Sequence, residues 1–362
     1  MRTILIKKSP THIHLLLSML FINSITNKVK SQSQTYAEKL GWKKDERVIM
    51  FHVDDAGMSH QSNQGAIHAL EKKVATSVSI MMPCPWTSHI INYVKQHPDI
   101  DAGLHLTHTA EWTDYRWSSV TGKNASPGLS DKEGALWNNV FDVVNNASVD
   151  EIEAEIKAQL YKAKTMGLNP THLDTHMGIL WATPEFLNKY IKIGIEEHIP
   201  VLFSAGHNTL MRESLQAVPL AGLKNLNKKT PEATNISEVL DAIRDKGEEI
   251  WNAGLAVVDD LYISSYDWEF PSDKKVTDKA LCEFKTYKYK ELLRSVKPGI
   301  TVILIHCTDS NEEFKSISNS GNTRRADMLA MAGPELKAFI QKEGFILTTW
   351  RELQNRRDSL YK

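Results

Sequence analysis

The sequence predicts a (β/α) barrel of TIM type, distorted or incompletely closed, with seven or eight parallel strands. Three observations carry that prediction. From residue 48 onward, apolar runs rich in strand formers alternate with stretches of helical periodicity, the pattern of a parallel sheet with crossover helices. Seven or eight such units are present. Histidines and acids recur at the C-terminal ends of the predicted strands, where α/β barrels present catalytic groups.

Taken in order, residues 1–31 read as an export signal. Lys7-Lys8 forms a basic region, and Leu15-Leu16-Leu17-Ser18-Met19-Leu20-Phe21-Ile22 forms an apolar run too short to cross a bilayer. Small and polar residues from Ser24 to Ser33 could hold a cleavage site. The expected location is therefore periplasmic or secreted. Residues 32–45 read as a linker and a first helix, and residues 46–362 as a single barrel domain. Its predicted strands are 48–54, 75–82, 102–107, 171–175, 201–204, 256–264, 301–306 and 345–349. The clearest helical stretches are 149–166, 184–197, 236–252, 278–296 and 324–343. The first of these opens with Ser148-Val149-Asp150-Glu151, a capping-box pattern.

Two regions interrupt the alternation. Residues 111–147 read as an insertion containing Trp112, Trp117 and Trp137. Its place after a strand's C-terminal end is where active-site walls are built. The aromatics would suit either sugar stacking or a small local core. The stretch from His207 to Ser237, with Pro219, Gly222 and Pro231, reads as an irregular loop.

Composition narrows the function class. With 41% apolar and 24% charged residues among 362, the chain can bury a substantial core. Setting aside the five bases of residues 1–31 leaves 38 bases against 44 acids, a net of −6. A mildly acidic body argues against nucleic acid or an anionic membrane as partner. No later stretch reads as a membrane span. Cys84, Cys282 and Cys307 cannot form a disulfide framework and read as buried small hydrophobes; a Cys307 nucleophile is the lesser alternative.

The rest of the chain is organised around His52-Val53-Asp54-Asp55-Ala56-Gly57-Met58-Ser59. An apolar strand delivers two adjacent carboxylates to a glycine turn, and a helix follows with Ser59 or Ser62 as a cap. Successive strand residues face opposite ways, so the two carboxylates share a direction only where the strand ends. One could ligate a metal while the other acts as a base; the alternative is that the pair caps the helix. Downstream, Gly103-Leu104-His105-Leu106-Thr107-His108, Thr171-His172-Leu173-Asp174-Thr175-His176 and Ile303-Leu304-Ile305-His306-Cys307 each place histidine at or near a strand end. A lone strand histidine is usually a core or surface residue. Several gathered on one barrel face beside carboxylates form a typical divalent-cation site. Zn²⁺, Mn²⁺ and Mg²⁺ all suit such a set.

These residues also resemble a family. The 52–59 motif followed by Asn63-Gln64-Gly65-Ala66-Ile67, the strand Ala75-Thr76-Ser77-Val78-Ser79-Ile80-Met81, and the motifs at 103–107 and 171–176 follow the order of the YdjC/ChbG-like carbohydrate deacetylases, relatives of the polysaccharide deacetylases. The resemblance runs from about residue 46 to 350. The chain departs from the family's pattern at His52-Val53, where Asn-Ala is common, at Gly178, where a third histidine is frequent, and at His306-Cys307-Thr308, where His-Pro-Gly is common. These departures bear on substrate choice more than on metal chemistry.

The resemblance implies a metal-dependent hydrolase that removes N-acetyl groups from amino-sugar carbohydrates. Asp55, His105 and one of the pair His176 and His172 would hold the metal, with His176 preferred. Asp54 would be the general base and His306 the general acid. Asp174 or Asp309 would orient a histidine, and Asn63 and Trp112 are candidates for substrate contact or support. Two other readings stay open: a metal-dependent hydrolase of another amide or ester, and a non-catalytic carbohydrate-binding protein on the same scaffold.

Overall fold

The strand β1 (Arg47–Ala56) runs through the middle of the sheet, and nine of its ten residues are buried. Its run Val48-Ile49-Met50-Phe51 is apolar on both faces, as a parallel strand covered by helices requires. This computed structural model describes residues 34–216, 236–309 and 312–360. The export-signal reading of residues 1–31 lies outside the described residues.

The other strands are β2 (Ala75–Ile80), β3 (Ala102–Leu106), β4 (Leu173–Thr175), β5 (Asp260–Tyr262), β6 (Gly299–His306) and β7 (Ile346–Leu347). They form one parallel sheet in the order β4-β3-β2-β1-β6-β5, with β7 paired to the start of β1. The predicted strand at 201–204 is present only as single parallel bridges, Leu173 to Val201 and Ser204 to Val258. Those two bridges tie the β4 edge to the residues entering β5, so the sheet curls into a distorted barrel.

Two helices match their predicted bounds, Pro184–Glu197 and Ile236–Asn252. The Ser148 capping box forms as expected. The predicted helix 324–343 is instead two, Gly321–Ala332 and Pro334–Lys342. Pro334 has no N–H to continue the first helix and starts the second. The stretch predicted as a loop from His207 begins with a helix, Thr209–Gln216; residues 217–235 lie outside the described residues. The first helix is a single turn, Tyr36–Lys39, whose leading N–H groups donate to the Asp259 carboxylate at 2.7 and 3.0 Å. No described helix is long and apolar enough to cross a membrane.

The insertion is anchored by Glu155 on the helix Val149–Thr165, whose carboxylate accepts the N–H groups of Val120 and Thr121 at 2.9 Å each. Trp117 donates to the Thr109 carbonyl and Trp137 to that of Gly128, so both serve a local core. Cys84 and Cys307 are buried and Cys282 is half-buried. Burial, followed by the charge of Asp327, pushes the Cys307 thiol well up, which removes it as a nucleophile.

Candidate active site

The two carboxylates of β1 reach one cleft because the strand bulges beneath them. Pairing with β2 slips between Val53 and Ala56, and Asp55 takes a left-handed φ of +64°. A bulge adds one residue to a strand and re-aims the side chain above it; aspartate tolerates this conformation better than most residues. Gly57 follows at φ +90°, and a Cβ there would press on the Met81 carbonyl at 3.2 Å. Asn63 clamps this turn, its Oδ1 accepting the Gly57 N–H at 2.6 Å. Ser59 caps the following helix by accepting the Ser62 N–H. Asp54 and Asp55 therefore do not cap it.

Above the bulge is a cleft of about 330 Å³ lined by Asp54, Asp55, His105, His176, His306 and Arg324, with Trp112 and Tyr266 on its walls. Asp55 Oδ1 lies 3.3 Å from His105 Nε2 and 3.3 Å from His176 Nδ1, and the two nitrogens are 3.2 Å apart. That oxygen is buried and makes no hydrogen bond among the described residues. Donors about 2 Å from one small divalent ion in tetrahedral array are about 3.3 Å apart. The residues present thus fit a divalent cation.

Each of the three is held by its other end. Arg324 Nη1 donates to Asp55 Oδ2 at 2.7 Å, leaving Oδ1 to the cleft. Burial would raise Asp55, but Arg324 and the two imidazoles outweigh it and hold the carboxyl well below the usual range. His105 Nδ1 donates to Asp174 Oδ1 at 2.7 Å, so its Nε2 lone pair faces inward. His176 Nε2 donates to Glu111 at 3.0 Å, which turns Nδ1 inward. Burial opposes protonation of His176, yet Glu111 and Asp55 push it up to about 9. The locus attracts positive charge.

Asp54 and His306 stand beside this triangle, with His306 Nε2 3.8 Å from Asp54 Oδ2 and 4.0 Å from Asp55 Oδ2. Burial, with Asp174 and Asp55 adding to it against His105 and His52, lifts Asp54 to about 7. The His306 ring meets the Tyr266 ring edge-on at 4.9 Å, and Arg324 lies over the same tyrosine at 5.2 Å. Asp327 Oδ2 accepts the backbone N–H of His306 at 3.2 Å.

Other predicted site residues fall elsewhere. His172 is fully buried beneath the cleft and stacks on Trp350 at 5.4 Å; burial and neighbouring His52 keep its pKa well down. It stands outside the Asp55–His105–His176 triangle. A Cβ on Gly103 would sit 2.4 Å from the His172 ring, so the glycine makes room for that packing. Asn63 does not line the cleft. Asp309 pairs with Arg325 at 2.9 Å and orients no histidine; that task falls to Asp174. Sequence reasoning missed Arg324, Glu111 and Tyr266. Arg324 lies 269 residues from Asp55 within an Asn322-Thr323-Arg324-Arg325 run that gives no local sign of burial. Glu111 was legible only as the first residue of the insertion.

The sequence profile of the family described as YdjC-like protein matches residues 48–342. A carbohydrate deacetylase of Thermus thermophilus is 24% identical over 310 residues, 85% of this chain and 94% of its own. A carbohydrate deacetylase of Thermoanaerobacter pseudethanolicus is 21% identical over 308 residues, 85% of this chain and 100% of its own. A crystal structure from Enterococcus faecalis V583, provisionally named as a cellobiose-phosphate cleavage protein, superposes with a TM-score of 0.63 at 18% identity, over 85% of this chain and 99% of that one. That likeness is one of fold. Motif order, barrel and profile agree, and the chain belongs to the YdjC-like family.

Proposed function

We propose that this protein is a metal-dependent hydrolase that removes N-acetyl groups from amino-sugar oligo- or polysaccharides. The observation that carries the reading is the Asp55–His105–His176 triangle, whose Asp55 Oδ1 makes no hydrogen bond among the described residues, set beside Asp54 and His306 in one cleft. Relatives named carbohydrate deacetylase support the substrate class. Asp55, His105 and His176 would hold the cation, which when bound lowers the pKa of water and polarises a carbonyl.

The chain's own groups supply the rest. Asp54, raised toward neutrality by burial, accepts the proton of the attacking water, and it serves as base only in its ionised form. Activity therefore falls as the pH drops through the Asp54 pKa; a bound cation favours the ionised form and moves that limb to lower pH. His306, 3.8 Å from Asp54, gives a proton to the leaving amine, which is too basic to depart as an anion. Arg324, Asp174 and Glu111 hold the three ligating side chains and fix which atoms face the cleft. Trp112 lines the cleft wall, where the sugar would lie. The basic and apolar run of residues 1–31 supports export, which cell fractionation tests.

The decisive experiment pairs elemental analysis of the purified protein with an acetate-release screen on N-acetylglucosamine oligomers and other acyl substrates. We expect about one divalent ion per chain and acetate release that stops on chelation and returns on adding the ion back. Turnover that survives exhaustive chelation would rule the metal mechanism out. Release from other amides or esters alone would move the substrate class.

A further inference from the structure

His52 takes no part in the chemistry above, yet it is fully buried inside the barrel, directly below Asp54 on β1. A buried polar side chain is costly unless its hydrogen bonds are made. Its Nε2 lies 2.7 Å from Asp174 Oδ2, 3.3 Å from Asp54 Oδ1 and 3.3 Å from Ser79 Oγ. Its Nδ1 is buried and faces no partner among the described residues, so the ring meets the Asp174 carboxylate through an Nε2–H. Asp174 uses its two oxygens on two imidazoles, Oδ2 on His52 and Oδ1 on His105. The contacts cross the barrel interior from β1 to β4, two strands that are not neighbours in the sheet.

We propose that His52 is a positioning residue: its Nε2–H donates to Asp174 Oδ2 and so fixes the carboxylate that holds His105, while the ring stands 3.3 Å from Asp54 Oδ1 and supports the base from beneath. The inference rests on the deacetylase reading for its effect on turnover, but not for its effect on the site's affinity for a cation. A partner of this kind is typically worth 10- to 100-fold in metal affinity.

The test compares His52→Leu, His52→Gln and His52→Asn in the full chain, reading Zn²⁺ affinity by chelator competition and kcat against KM for acetate release. Glutamine carries an N–H as far along the side chain as His Nε2, whereas asparagine stops one bond short. We expect His52→Leu to weaken Zn²⁺ binding about 10- to 100-fold and to lower kcat with little change in KM. His52→Gln should recover most of both losses, and His52→Asn little of either. The Gln and Asn variants are alike in polarity, so their difference decides the matter even where the leucine variant fails to fold. Equal behaviour of Gln and Asn would overturn the proposal. So would a second Zn²⁺ per chain that all three variants lose, since His52 with His172 and Asp174 would then be a ligand set. No acetate release by the wild type on any substrate would sink the deacetylase reading, while the Zn²⁺ series would still judge His52.

Discussion

Two buried charged clusters lie on either side of β6, and they are built on opposite terms. In one, Lys285 and Asp327 are fully buried and paired at 2.8 Å. Lys285 also donates to the Ser265 carbonyl at 2.7 Å and lies over the Trp268 ring, and Tyr289 donates to Asp327 at 2.7 Å. None of these side chains leaves a polar atom orphaned. In the other, Asp55, His105 and His176 turn their donor atoms toward one point, and Asp55 Oδ1 has no hydrogen bond among the described residues. Burial is equal; satisfaction is not. A buried network that closes on itself holds structure, and one that leaves an acceptor open is shaped for something outside the chain.

The strongest way to sharpen the contrast is to alter the open cluster's edge. Asp54→Asn should cut kcat by on the order of 10²–10⁴, as for a lost general base, while the protein stays folded and keeps its cation. Metal lost in that variant but retained in Asp55→Asn would reverse the two roles. Next comes the closed cluster. Lys285→Met leaves Asp327 buried without its cation and should lower unfolding stability by about 3–5 kcal/mol, read by denaturant titration. A loss of about 1 kcal/mol or less, like that of an exposed ion pair, would erase the distinction. The smallest effect belongs to the supports of the open cluster. Asp174→Asn weakens the hold on both His105 and His52 and should reduce metal affinity about 10- to 100-fold, with a smaller stability loss than Lys285→Met. A larger one would place Asp174 with the structural cluster instead.

The helix Gly321–Ala332 joins the two clusters, since Arg324 reaches Asp55 and Asp327, three residues on, takes Lys285. Residues three apart on a helix share a side. Nothing in the charged run around Arg324 marks it as buried, because that depends on where the helix packs. Glu111 was equally hidden: an acid opening a long insertion reads as a solvated turn until the insertion folds back over the cleft.

The sequence by itself determined where seven of the strands lie, the placement of Asp54, Asp55, His105, His176 and His306 at or just beyond strand ends, the cap at Ser148, and a choice of Ser59 or Ser62 for the cap after β1. Those are local matters of apolar runs, period and capping chemistry, readable within about ten residues. Only the tertiary structure decided that His176 rather than His172 joins Asp55 and His105, that a bulge with φ +64° turns both carboxylates into one cleft, and that Arg324 and Glu111 hold the ends. The reason is physical: those contacts join residues from 65 to 269 positions apart, and their directions are set by barrel closure and helix packing, not by neighbours along the chain.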